Sequence, residues 1–156
     1  MIHLQIPGME ELRLDNLMLD FNGTLAIDGT VLDGVQQRID ALSKHLNVVV
    51  VTGDSHGTAK EQLRNFECEV HVIGPDEQGQ QKLTFLRSLG ENITACIGNG
   101  MNDKYVAQAA ALGVIVCLQE GASMASAIHA DIVCRDILDA LDLFLNPLRI
   151  VTTLRS

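Results

Sequence analysis

Short apolar runs recur along this chain, separated by longer stretches of mixed polarity. The runs at residues 17–19, 48–51, 70–73, 95–97, 114–116 and 132–133 read as strands. Between them apolar positions fall at helical spacing, which predicts helices over residues 34–45, 58–65, 78–89, 103–111, 123–129 and 137–145. Strands alternating with helices call for βαβ units with right-handed crossovers. The expected architecture is therefore α/β and Rossmann-like, with three layers around a central, mainly parallel sheet. Ahead of the first core strand, residues 2–6 and 11–14 flank Pro7-Gly8 and read as an N-terminal hairpin within residues 1–14. No repeat, low-complexity tract or linker divides the chain, so residues 1–156 are expected to form one domain.

Composition sharpens that picture. Apolar residues make up 47% of the chain, but aromatic residues only 3%, and Trp is absent. The core must therefore be built from Val, Ile, Leu and Ala, the usual filling of a parallel sheet covered on both faces. The formal charge of −9 argues against nucleic acid or an anionic membrane as partner. It also means that a phosphate-bearing ligand needs a local cation or a metal. The longest apolar run, residues 109–118, is too short to span a bilayer. The chain opens with no basic segment leading into an apolar one, so secretion is not signalled. The four cysteines, scattered without a CxxC pair, read as small buried hydrophobes in a reducing cytoplasm.

The chemistry gathers in the loops that follow strands. Asp20 closes the first core strand, and a buried carboxylate is costly unless it has a partner or a task. It stands past the carboxyl end of a strand, where open α/β sheets take ligands. Asn22, Gly23 and Thr24 then make a tight turn that either presents N–H groups to an anion or simply caps the strand. Thr52-Gly53-Asp54-Ser55 precedes a helix and fits two roles, a phosphate cradle or an N-cap. Lys82 sits in a polar helix where a lone lysine is ordinarily solvated. Asp103 ends the glycine-bearing loop Gly98-Asn99-Gly100-Met101-Asn102-Asp103, either as a site acid or as another N-cap.

Taken in order, these four segments resemble the motifs of the haloacid dehalogenase-like (HAD) superfamily, and most nearly the phosphorylation domain of P-type ATPases. Asp20-Phe21-Asn22-Gly23-Thr24 corresponds to DKTGT, Thr52-Gly53-Asp54 to TGD, Lys82 to the lysine of the third motif, and the Gly98 loop to GDGxND. Ala110-Ala111-Leu112-Gly113-Val114 and Ala130-Asp131-Ile132-Val133 look like further pump segments. The resemblance implies a Mg²⁺-dependent phosphohydrolase whose nucleophile is Asp20, acting with Asn22, Thr52 and Lys82. It implies phosphate binding by Asp20, Asn22, Gly23, Thr52, Gly53 and Lys82, and Mg²⁺ binding by Asp20, Asn22 (through its backbone carbonyl), Asn99 and Asp103. The implied partner is a phosphorylated small molecule or a phosphoprotein.

Two positions depart from the pattern. Hydrolytic members carry an aspartate where this chain has Asn22, and loss of general acid–base help costs about 10²–10⁴ in rate. The first aspartate of GDGxND, a metal ligand, is replaced by Asn99. A rival expectation follows, a non-catalytic HAD-fold module that binds a phosphorylated ligand, a metal or a protein. The intervals from Thr24 to Thr52 and from Asp54 to Lys82 have no room for a cap domain. The hairpin and the apolar segment 143–154 then have two readings, a homo-oligomer interface or packing on their own sheet.

Overall fold

In the computed structural model, which describes residues 1–156, the hairpin comes first: β1 (Ile2–Leu4) pairs antiparallel with β2 (Leu12–Leu14). The first core strand is β3 (Asn16–Leu19), followed by a second small hairpin, β4 (Ala26–Ile27) with β5 (Thr30–Val31). Then come α1 (Val35–Leu42), β6 (Asn47–Thr52), α2 (Ala59–Gln62), β7 (Glu69–Val72), α3 (Gln78–Leu89) and β8 (Thr94–Gly98). The chain ends with α4 (Lys104–Ala109), β9 (Leu112–Val116), α5 (Met124–Ala127), β10 (Ile132–Cys134), α6 (Ile137–Leu145) and α7 (Leu148–Leu154). Every predicted core element is present, within a few residues at its ends.

The six core strands are all parallel, in the order β10–β9–β8–β3–β6–β7. The chain leaves β3 towards β6 and β7, then crosses back to β8, β9 and β10. That reversal makes β3 the switch strand, and the loops after β3, β6 and β8 meet beside it.

Side-chain alternation divides each apolar strand between two layers. Leu17, Leu19, Val48, Val50, Ala95 and Ile97 face the larger core, with α1, α6 and α7. Met18, Val49, Val51, Cys96 and Ile115 face the smaller one, under α3 and α4. Each such burial is worth about 1.5–3 kcal/mol, and both layers together hold the sheet between its helices.

Two elements escaped the sequence pattern. The strands of the β4–β5 hairpin have two residues each, too few to show a period. Its turn, Asp28-Gly29, has φ of 50° and 77° at those two residues, the signature of a type I′ turn. The second is α7, which starts directly after Pro147, a residue whose fixed φ suits a helix start. Its Ile150 is fully buried, and the Ser156 N–H donates to the Pro7 carbonyl at 3.2 Å. The tail and the hairpin thus pack on their own fold. One expectation is corrected: of the four cysteines only Cys96 is fully buried, and Cys117, just past the covered end of β9, is exposed. No helix is long and apolar enough to cross a membrane.

Candidate active site

Asp20 is the residue after β3, and alternation carries its side chain to the face of Met18, the side covered by α3. On that helix Lys82 and Leu86 are the buried residues, four apart and hence on one stripe. Lys82 therefore points down onto the end of β3. Its Nζ donates to Asp20 Oδ1 and to Asp103 Oδ1, each at 2.7 Å, and its side chain is 1% exposed. The lysine that a polar helix would leave in water is the most deeply buried charge in the protein. The stripe Lys82, Leu86, Leu89 was the sequence signal that could have revealed it.

Two carboxylates share this one ammonium, so ionising both leaves the buried triad with a net negative charge. Burial pushes the Asp20 carboxyl up to about 6; the Lys82 charge pulls against that and the Asp103 charge adds to it. For Lys82, burial works downward but the two carboxylates outweigh it, and the ammonium is held above the ordinary lysine range.

Asp103 is anchored on its other side by its own loop. Its Oδ2 accepts the N–H groups of Asn99 at 3.0 Å and Gly100 at 2.9 Å. Gly98 is needed here, because a Cβ at that position would run into the Asp103 carboxyl group. With both oxygens engaged, Asp103 stands behind the cleft. Asp103 thus fixes the loop and Lys82, and it is not among the residues that line the cleft.

The open side of Asp20 faces a cleft of about 370 Å³, whose wall includes the expected Asp20, Asn22, Thr52, Gly53 and Asn99. The Thr24 hydroxyl lies 3.3 Å from both Asp20 Oδ2 and Asn99 Oδ1, one hydrogen between two acceptors. The Asn99 amide donates to the Gly121 carbonyl at 3.1 Å, which turns its oxygen towards Asp20. Thr52 Oγ1 accepts the Asp54 N–H at 2.9 Å, leaving its own hydrogen for the cleft.

Some expected donors are spent elsewhere. The Gly23 N–H closes its own turn on the Ala26 carbonyl at 2.7 Å, which removes it from the phosphate donors. Asp54, at φ 49°, accepts the Thr58 and Ala59 N–H groups at 3.0 Å each, so the start of α2 is capped and does not open on the cleft. The Asn22 and Gly53 N–H groups make no hydrogen bond within the protein. Lys82 lies behind Asp20 and not on the cleft wall; two of its three donors are used inside.

The cleft also contains Ser55, Gly100, Met101 and Asn102, which the motif loops carried without an assigned role, and Gln78, which sequence reading missed. The Gln78 amide rests beside Gly53, and its oxygen accepts the Asn102 side-chain N–H at 3.0 Å, joining the second and fourth loops. Its spacing of four from Lys82 placed it on the same stripe, the one hint available.

For a metal, the donor chemistry is decisive. No cluster of three or more His, Cys, Asp or Glu side chains exists. Around the cleft stand the Asp20 carboxylate, the Asn99 amide oxygen and Asn22, whose buried Oδ1 has no partner. An all-oxygen set beside an unsatisfied buried oxygen fits a hard divalent cation such as Mg²⁺.

No protein-family model matches the chain. The uncharacterized protein MJ0073 of Methanocaldococcus jannaschii is 38% identical over 91 residues, spanning 54% of this chain and 98% of that protein. The Arabidopsis thaliana protein named "Probable copper-transporting ATPase HMA5" is 28% identical over 150 residues, 88% of this chain but 15% of its own length. Among solved structures, the cobalt-bound deoxy-D-mannose-octulosonate 8-phosphate phosphatase of Haemophilus influenzae has a TM-score of 0.67 at 16% identity, covering 92% and 94% of the two chains. The 3-deoxy-D-manno-octulosonate 8-phosphate phosphatase of Moraxella catarrhalis, in complex with magnesium ion, phosphate ion and KDO, has a TM-score of 0.64 at 17% identity, covering 89% and 92%. A Legionella pneumophila protein described as a HAD superfamily (subfamily III A) hydrolase gives 0.67 at 18%, covering 90% and 87%. The chain belongs to one family with the archaeal protein MJ0073, and its fold is the haloacid dehalogenase-like fold without a cap domain.

Proposed function

We propose that this protein is a Mg²⁺-dependent phosphohydrolase that carries the phosphoryl group on Asp20. The observation behind the proposal is a strand-end carboxylate, gripped from behind by Lys82 at 2.7 Å and open in front to a polar cleft. The solved structures of the same fold that are named phosphatases, one of them holding magnesium and phosphate, support it.

In this reading the Asp20 carboxylate attacks phosphorus in line, and the leaving oxygen departs with the bonding pair. The Thr52 hydroxyl and the free N–H groups of Asn22 and Gly53 hold the phosphoryl oxygens, together with the remaining Lys82 donor. Positioning and charge stabilisation of this kind are most of what phosphoryl transfer requires. Asp20, the Asn22 backbone carbonyl and Asn99 would hold Mg²⁺, which screens the repulsion between carboxylate and phosphate. Asp103 acts through Lys82, keeping it aimed at Asp20. Water then attacks the aspartyl-phosphate and releases phosphate. Asn22 offers no proton to the leaving group and takes none from that water, so ordinary esters turn over slowly and acyl phosphates, which need little protonation, suffer least.

Hydrolysis of p-nitrophenyl phosphate and acetyl phosphate with Mg²⁺ is the test. The reading expects turnover that disappears in Asp20→Asn. The two asparagines favour a second reading, a phosphate-binding module without turnover; stabilisation by Mg²⁺ and fluoroberyllate with no hydrolysis of either compound would select it.

A further inference from the structure

We infer that the leaving group of the substrate is uncharged and apolar, and that it lies on a shelf formed by Met101, Tyr105, Met124 and Ile128. The inference rests on the phosphohydrolase reading and adds the substrate class to it.

The first observation is the charge of the cleft. Of its ten wall residues only Asp20 is ionisable in the neutral range, and none is Lys, Arg or His. Lys82 stands behind the wall with two of its three donors used on Asp20 and Asp103, which leaves one for the transferring phosphate. Lys104, next to Tyr105 in sequence, carries its ammonium over the Tyr105 ring, 5.8 Å from the centroid. The residues next to Gly53 and Gln78 in sequence are the acids Asp54 and Glu77, and the whole chain carries −9. Lys82 and a bound divalent cation can balance the transferring phosphate. Nothing on the wall balances a second anionic group, such as a carboxylate or another phosphate on the leaving group.

The second observation is the apolar surface at the mouth. The protein exposes nine large apolar side chains, and four of them lie on the turn before α4, on α4 and on α5 with the residue after it: Met101 at 62%, Tyr105 at 42%, Met124 at 72% and Ile128 at 70%. Single exposed apolar residues are ordinary, but a cluster beside a cleft marks a binding surface. Met101 lines the cleft, Tyr105 lies beside Gly79, which follows the wall residue Gln78, and the Ser123 N–H just before Met124 donates to the Asn99 carbonyl at 2.8 Å. The elements pack together, α4 on α5, and the Ser123 hydroxyl lies 3.9 Å from the Met101 sulfur. Met101 belongs to both surfaces, the only apolar side chain on the cleft wall and the inner end of the shelf. A substrate phosphate at Asp20 thus delivers its organic part onto methionines, whose flexible thioethers accept irregular apolar shapes.

Three non-hydrolysable probes test this by calorimetric titration in Mg²⁺: methylphosphonate, benzylphosphonate and 4-carboxybenzylphosphonate. The benzyl compound is expected to bind about tenfold more tightly than the methyl one, through apolar contact with the shelf. The carboxylated compound is expected to lose about that factor again. In Met124→Arg, a substitution outside the phosphate site, the carboxylated compound should draw level with the benzyl one. Equal binding of methyl and benzyl compounds, or tighter binding of the carboxylated one by the native protein, overturns the inference and leaves the phosphate site standing. Failure of all three, and of inorganic phosphate, overturns the phosphohydrolase reading together with it.

Discussion

Replacing Lys82 by Met removes the one positive charge between two buried carboxylates while filling much the same space. Asp20 and Asp103 are 9% and 8% exposed at their side chains, and each loses a 2.7 Å charge-assisted hydrogen bond. Removing one partner from a buried ionic group typically costs about 3–5 kcal/mol, because the charge left behind is uncompensated. For a domain of this size that is a fall in Tm of about 10–15 °C. The pH dependence carries more information. In the native protein Asp20 is raised from 3.8 to about 6, so the folded state holds a proton that the unfolded state has lost. Stability of the metal-free protein therefore falls as pH rises from about 4 to about 6 and then levels. Without the ammonium, the carboxyl group titrates higher still. The variant should go on losing about 1.36 kcal/mol per pH unit above 6, where the native protein has stopped. Urea denaturation followed by circular dichroism, a suitable probe since the chain has no Trp, measures both curves. A loss below about 1 kcal/mol at neutral pH, or parallel pH curves, would refute the buried triad.

Three further substitutions probe separate parts of the site. Asn22→Asp restores a group able to exchange a proton, and p-nitrophenyl phosphate turnover should rise by about 10² or more, with a smaller gain on acetyl phosphate; an equal gain on both would contradict the assigned role. Asn99→Asp exchanges the amide that donates to Gly121 for a carboxylate facing that carbonyl, and should cost about 1–2 kcal/mol without metal, recovered on adding Mg²⁺. A variant more stable than the native protein in EDTA would be the contrary result. Gly98→Ala forces a methyl group into the Asp103 carboxyl, with an expected loss of about 1–3 kcal/mol in urea and a fall in Mg²⁺-dependent hydrolysis; unchanged values in both would sink that account of Gly98.

The sheet was legible because strand length and alternation leave strong marks: Val48, Val49, Val50 and Val51 are apolar together, and only a strand buried on both faces uses such a run. The position of Asp20 was legible for the same reason, since a charge at the end of a buried strand stands out against its neighbours. What failed to show depends on contacts distant in sequence. Lys82 lies in a helix of polar composition, and only its register with Leu86 distinguishes it from a solvated lysine. Whether Asp103 turns to the cleft or to the interior is decided by the N–H groups of Asn99 and Gly100, and loop backbone direction has no periodic signature. The spending of the Gly23 N–H on Ala26 depends on the β4–β5 hairpin, whose strands are too short to announce themselves. Met101 and Met124 became a surface only when α4 and α5 packed side by side.

The central claim is that Asp20 carries the phosphoryl group, and the most direct measurement is to look for it there. The protein is mixed with acetyl phosphate and Mg²⁺, quenched in acid, digested, and the peptide containing Asp20 is weighed by mass spectrometry. The account predicts one added phosphoryl group on Asp20 in the native protein, absent from Asp20→Asn, and shorter-lived in Asn22→Asp. Hydrolysis that proceeds with no adduct on Asp20, or an adduct on another residue, would contradict it.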